Sequence, residues 1–278
     1  MVHVLTDSCA DLSPELLHRF EIGVIPLSVY INDKTYHDGS EISSDLLYSE
    51  VEKGGQLPKT AAPAVGEFIE FFKQYPGDII FISIGSKLSA TNQNAIFAAQ
   101  SLPNQNIRVV DSANLSTGIG LLVLAAAEMR DKGASVDEID NYVSSLVPQV
   151  NTSFVIDTLD YLYKGGRCST MESIMGSLLS IHPIIEVRHD GTLGVRQKVR
   201  GSGTKGMDTL IDTFKSNLEN IDLHRVFITH SGGDIDPNYI KEKLEEVAKI
   251  DEICITHAGA TVSSHCGPKT IGILYLMN

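Results

Sequence analysis

Ile79-Ile80-Phe81-Ile82-Ser83-Ile84, followed across the polar loop Lys87-Leu88-Ser89-Ala90-Thr91 by a helical pattern over Thr91 to Leu102, decides the fold class. A run that is apolar at almost every position suits a strand covered on both faces, and strand followed by helix is the unit of a parallel sheet. The unit recurs where Ile107 to Asp111 leads into a helical pattern over Ser116 to Lys132. Upstream, Val2-His3-Val4-Leu5 precedes Ser13-Pro14, where Ser suits a helix cap and Pro the first helical position, opening Glu15 to Phe20. Downstream, Ser135-Val136-Asp137-Glu138 has the spacing of a capping box for one more helix, running towards Val150. Residues 1–150 are therefore expected to form an N-terminal, mainly parallel α/β domain.

The rest of the chain reads differently. Pro183 to Val187 and Leu193 to Val199 flank the turn dipeptide Asp190-Gly191, which predicts an antiparallel hairpin. Met207 to Leu218 is helical by period, Arg225 to His230 is a strand, and Asp236-Pro237 opens a helix over Asn238 to Ala248. Glu252 to Thr256 and Ile271 to Met277 supply closing strands. Residues 151–278 are expected to form a C-terminal mixed-sheet α/β domain, and the cleft between the two domains is the default place for a site.

Composition narrows the function. At 278 residues the chain has the length of about two domains. Its net charge of −13 is a poor match for a nucleic-acid surface or an anionic bilayer. The longest apolar stretch, Gly118 to Ala127, falls far short of the ~20 residues that cross a bilayer. The opening Met1-Val2-His3-Val4-Leu5-Thr6-Asp7 lacks a basic leader region, so an untargeted, soluble protein of the cytoplasm is the expectation. Cys9, Cys168, Cys254 and Cys266 show no C-x-x-C spacing, which signals neither a zinc knuckle nor a redox pair and fits reduced thiols. The nine histidines contain no H-E-x-x-H and no i, i+4 pair, so no metal site is expected.

Several stretches invite chemistry. Gly201-Ser202-Gly203-Thr204-Lys205-Gly206 is a literal G-x-G-x-x-G, but it leaves the second strand of a hairpin and not a parallel strand. It reads first as a loop, then as an anion-binding helix start, and only third as a nucleotide site. Gly267-Pro268-Lys269-Thr270 is no phosphate-binding Walker loop. Ser89 and His265 could be assembled into a hydrolase, yet Ser89 has no G-x-S-x-G elbow and reads locally as a cap of the next helix. His265 lies in the turn-like Ser263-Ser264-His265-Cys266-Gly267-Pro268. Met171 to Val187 reads mainly as a core helix running into a core strand, with a subset able to line an apolar tunnel. Asp157 to Arg167 ends in Gly165-Gly166-Arg167, a helix stop with a polar rim.

Taken together and in order, these stretches resemble the DegV family of fatty-acid-binding proteins from end to end. Thr6-Asp7-Ser8-Cys9-Ala10-Asp11-Leu12 resembles the family's opening TDS-x-x-DL, and Ile25-Pro26-Leu27 through Tyr36-His37-Asp38-Gly39 its next block. Pro58-Lys59-Thr60-Ala61-Ala62-Pro63 matches the KTSQP segment with Ala61 and Ala62 departing, and Ser86 to Thr91 matches SKLSGT with Ala90 for Gly. Thr158 to Arg167 resembles TLxYLxxGGR, and His265-Cys266-Gly267-Pro268-Lys269 is similar to HTGPG with Lys269 for a glycine.

The resemblance implies a two-domain DegV-like fold with one long-chain fatty acid, such as palmitate or oleate, held between the domains. It implies that Thr60, Ser89 and His265 hold the carboxylate. It further implies that the protein is a non-catalytic carrier presenting that acid to a separate fatty acid kinase, whose acyl phosphate passes to an acyltransferase system for phospholipid synthesis. No cofactor of its own is expected. Arg167 and Arg200, cations on glycine-flanked turns of an acidic chain, are candidates for docking the kinase. The competing readings are a lipid or ester hydrolase using Ser89 and His265 and a nucleotide binder using Gly201 to Gly206.

Overall fold

The computed structural model describes residues 2–54, 56–168 and 181–278. The chain begins with β1 (Val2–Asp7), followed by α1 (Pro14–Arg19), whose first turn is capped by Ser13 Oγ accepting the Leu16 N–H, and β2 (Gly23–Ile25). It then builds a small antiparallel sheet that the hydrophobic pattern does not signal, β3 (Ser28–Ile31), β4 (Lys34–His37) and β5 (Lys59–Ala61), with the helix α2 (Ser44–Gly54) between β4 and β5 in the chain. Strands of three or four residues are too short to carry a readable alternation. After α3 (Val65–Lys73) come β6 (Asp78–Ser83), α4 (Thr91–Gln100), β7 (Ile107–Asp111), α5 (Thr117–Asp131) and α6 (Val136–Leu146). The order β2-β1-β6-β7 is parallel throughout.

Period-two geometry explains the unbroken apolar run of β6. Ile79 and Phe81 face Phe68 and Phe72 of α3 and Ala95 and Ala98 of α4. Ile80 and Ile82 face the other way, into the core with Leu122 of α5 and Ile139 of α6. All four β6 residues are fully buried.

The second half begins with β8 (Val150–Val155) and α7 (Asp160–Gly165), and continues with β9 (Ile181–Val187) and β10 (Leu193–Arg200). Of the Met171 to Val187 stretch, residues 171–180 lie outside the described residues, and the remainder is β9. α8 (Gly203–Asn217), β11 (Ile221–His230), α9 (Pro237–Val247), β12 (Glu252–His257), α10 (Ala260–Cys266) and β13 (Ile271–Met277) follow. The order β10-β9-β8-β13-β11-β12 is antiparallel except for the β11–β12 pair, so the sheet is mixed as expected. The predicted hairpin forms, with Gly191 at φ 80° in its turn.

Two local readings are corrected. α8 starts at Gly203 and not at Met207, so the last four residues of the glycine motif are helix and not loop. Gly206 is required by packing: a Cβ there would lie 2.5 Å from Val155 Cγ2 on β8. The second correction concerns Ser263 to Cys266, expected as a turn, which belongs to the helix α10.

α5 unites the halves. Every residue from Thr117 to Ala127 is buried, because the helix contacts β1 and β6 on one side and β8, β11 and β13 on the other. A helix apolar all round needs cover all round. A charged clamp closes the same interface. Arg225 of β11 donates from Nε to Glu252 at 2.7 Å and from Nη2 to Glu128 of α5 at 2.8 Å, beside the Phe20 ring.

Arg225→Ala would take the guanidinium from Glu128 while Glu252 keeps Arg19 at 3.0 Å, and urea denaturation should show a loss of about 2 kcal/mol. Arg108→Ala, which breaks a solvent-exposed pair with Asp137, should cost about 0.5 kcal/mol. Equal losses for the two variants would rule out the clamp.

Candidate functional site

A cavity of about 300 Å³ lies at the carboxyl ends of β1 and β6, where Cys9 and Ile84 reach its wall, and extends under α10 to the mixed sheet. Its lining is mainly apolar, with Leu27, Leu88, Leu115, Phe154, Leu162, Val262 and Leu274 among the walls. The volume stands at the lower end of the roughly 300–1,000 Å³ typical of small-molecule sites. Thr60, Ser89, His265 and Arg167 all reach it, although they come from β5, the β6–α4 loop, α10 and the turn after α7. Arg200 ends the edge strand β10, is exposed, and does not line the cavity.

α10 owes its place to two carboxylates that no local pattern reveals. Asp11 Oδ1 accepts the Gly259 N–H at 2.8 Å, and Asp38 Oδ1 accepts the Ala260 N–H at 2.7 Å. These are free amides of a helix start, which favour an anion. Ser116 donates to Asp11, and Ser8 donates to Asp38 while accepting the Leu27 N–H. Burial pushes both carboxyls above the usual range, most strongly at Asp11. The family resemblance marked the segments holding Asp11 and Asp38, but their role depends on contacts more than 200 residues away in sequence.

At the other end of α10, His265 Nε2 lies 2.8 Å from Thr60 Oγ1. Burial, with the nearby Arg167 charge adding to it, pushes the imidazole down to about 4, so the ring is neutral at physiological pH. Its Nδ1 is buried with no hydrogen-bond partner among the described residues. An unpartnered lone pair costs less than an unpartnered N–H, so the favoured tautomer carries its proton on Nε2. Nε2–H then donates to Thr60 Oγ1, leaving the Thr60 hydroxyl proton available to a ligand. Ser89 Oγ accepts the Thr91 N–H at 3.3 Å and pairs with Thr91 Oγ1 at 2.8 Å. It thus steadies the start of α4 from one residue before the cap position, held by Ala90, and with Thr91 as the hydroxyl donor its own proton is also free.

This geometry does not assemble the hydrolase. Ser89 is bonded to Thr91 and His265 to Thr60, and an orienting acid on His265 Nδ1 is missing among the described residues. Burial pushes the Cys266 thiol in the cavity wall up to about 12, which removes it as a thiolate nucleophile. The nucleotide reading fares no better. A separate cavity of about 470 Å³ against the first turn of α8 is lined by Asp157, Asp234 and Asp236, with Lys269 the cation among its lining residues. Three carboxylates oppose a polyphosphate. Among the described residues no group of three or more His, Cys, Asp or Glu could hold a metal, and no helix is long and apolar enough to cross a membrane.

The profile of the family described as "Uncharacterised protein, DegV family" matches residues 1–278. The chain is similar to a DegV domain-containing protein of Caldanaerobacter subterraneus subsp. tengcongensis, with 33% identity over 277 residues, covering 99% of this chain and 98% of that protein. A solved structure described as the fatty acid binding of a DegV family protein from Thermus thermophilus has 27% identity and a TM-score of 0.92, covering 100% of this chain and 99% of that one. The structure of DegV, a fatty acid binding protein from Bacillus subtilis, has 26% identity and a TM-score of 0.87, again covering 100% and 99%.

In the ligand-free protein the His265 ring should titrate near pH 4, followed by ¹⁵N shifts of labelled histidine. Its folded value lies below the ordinary 6.5, so its contribution to stability is fully present above pH 6.5 and is lost as pH falls through about 4. His265→Gln should remove that acid-side loss. A ring titrating at 6.5 would mean that it sits in water.

Proposed function

The chain belongs to the DegV family, and on that premise we propose that it binds one long-chain fatty acid, tail in the apolar cavity and carboxylate at Thr60, Ser89 and His265. The observation that carries this reading is that two hydroxyls and a neutral imidazole line a cavity walled mainly by aliphatic side chains, with Thr60 bonded to His265. The fatty-acid-binding relatives of Thermus thermophilus and Bacillus subtilis support it.

The energetics divide between tail and head. Burying the chain of a sixteen-carbon acid at ~0.8 kcal/mol per methylene yields on the order of 10 kcal/mol before ordering costs. The head group needs only enough donors to replace its lost water. Bonds from Thr60 and Ser89 to an ionised carboxylate are charge-assisted and contribute about 1.5–3 kcal/mol each. A neutral His265 does not transfer a proton to the acid; it holds Thr60 in the donating orientation.

The reading extends to a carrier role in the cytoplasm. The N-terminal domain, residues 1–150, and the C-terminal domain, residues 151–278, hold the acid between them. The carboxylate end is presented to a fatty acid kinase, and the acyl phosphate goes on to an acyltransferase system for phospholipid synthesis. Arg167 and Arg200 are the cations assigned to docking, and phosphoryl transfer belongs to the partner.

Delipidated protein should take up palmitate or oleate at one acid per chain, seen by native mass spectrometry, and melt at a higher temperature. Thr60→Val, Ser89→Ala and His265→Ala should each weaken retention without unfolding the chain. Failure of the parent protein to bind any long-chain acid would refute the reading. With cognate kinase, ATP and magnesium, the loaded protein should yield acyl phosphate, and without kinase none.

A further inference from the structure

We propose that the turn ending α7, Gly165-Gly166-Arg167, is the positioning element of the head-group site, seating the His265 ring and bracing the loop that carries Ser89. The inference deepens the fatty-acid reading and rests on it for its ligand measurement alone.

Gly165 is the last residue of α7, in a helical conformation that any residue adopts. Its requirement for glycine is spatial: a Cβ there would lie 2.5 Å from His265 Nδ1 and 3.4 Å from Cε1. The imidazole therefore lies directly on the α7 backbone, with Nδ1 shut away from water and Nε2 aimed at Thr60. Elsewhere in a helix Ala is favoured over Gly by about 1 kcal/mol, so a loss on adding one methyl here would come from the ring being displaced.

Gly166 supplies the reversal. At φ 68° it closes α7 in the left-handed region and sends the chain back over the helix end. That return brings the Arg167 guanidinium onto the carbonyls of Gly165, through Nη1, and of Leu88, through Nε at 3.4 Å. Leu88 immediately precedes Ser89, so one side chain ties the surface under His265 to the loop holding the second hydroxyl. Its charge also stands close enough to His265 to disfavour a protonated ring. Arg167 thus has a task within this chain, separate from any contact with a partner.

The test uses full-length, delipidated protein with ¹⁵N-labelled histidine. Gly165→Ala should shift the His265 Nδ1 and Nε2 resonances and raise the ring's titration towards 6.5. It should also lower palmitate retention by about tenfold. Gly66→Ala, where a Cβ meets nothing within 4 Å, should change neither. Should Gly165→Ala fail to fold, Arg167→Gln decides: it removes the charge and the brace, and should raise the His265 titration at an unchanged melting temperature. An unaltered His265 spectrum in a folded variant overturns the inference. A shifted spectrum with unaltered palmitate retention supports the positioning role and instead overturns the assignment of the carboxylate to His265.

Discussion

Two backbone amides at the start of α10, held by the Asp11 and Asp38 carboxylates, are the contact on which the site depends. Both acids are buried, and a buried carboxylate is tolerated only when its oxygens are paired. Here the partners are helix-start N–H groups and the Ser116 and Ser8 hydroxyls. The bonds join residues near the beginning of the chain to residues near its end. Asp38 directly follows β4, which pairs with β3, which pairs with β5 and so with Thr60. Anchoring Asp38 to Ala260 therefore sets the small sheet against α10, and the Thr60–His265 bond follows from that placement.

The site is cationic where the ring sits, beside Arg167, and acidic at the far end of α10. His265 stays neutral because it is buried on a glycine with a guanidinium nearby. The acids lie at the opposite end of α10, their oxygens paired with amides and hydroxyls. A short helix separates the two environments, so one element both anchors to the N-terminal sheet and presents the imidazole. α5, buried against both sheets, joins the two halves that carry these residues.

Much of the fold was legible in the sequence. The near-continuous apolar run of β6 and the helices that follow β6 and β7 specify a two-faced parallel strand, because only a strand covered on both sides can afford no polar face. Ser13-Pro14, Ser135 to Glu138, Asp190-Gly191 and Asp236-Pro237 marked helix starts and a turn through backbone chemistry that acts within a few residues. The small sheet escaped notice because its strands are too short to show a period. α8 was read four residues late because Gly203 and Gly206 look like a loop until Val155 lies against them.

For the site, the sequence by itself determined the candidates: Thr60, Ser89 and His265 stand in motifs whose order resembles a family, and the structure brings all three to one cavity. Tertiary structure alone decided their states and relations. That Ser89 pairs with Thr91, that His265 is neutral and bonded to Thr60, and that Arg167 folds back on two carbonyls depend on groups from four separate segments. Local sequence encodes the conformation of neighbouring residues through caps, turns and periodicity. The burial of an imidazole and the partner of a hydroxyl depend on which distant surfaces meet, and these are fixed only when α10 docks onto Asp11 and Asp38.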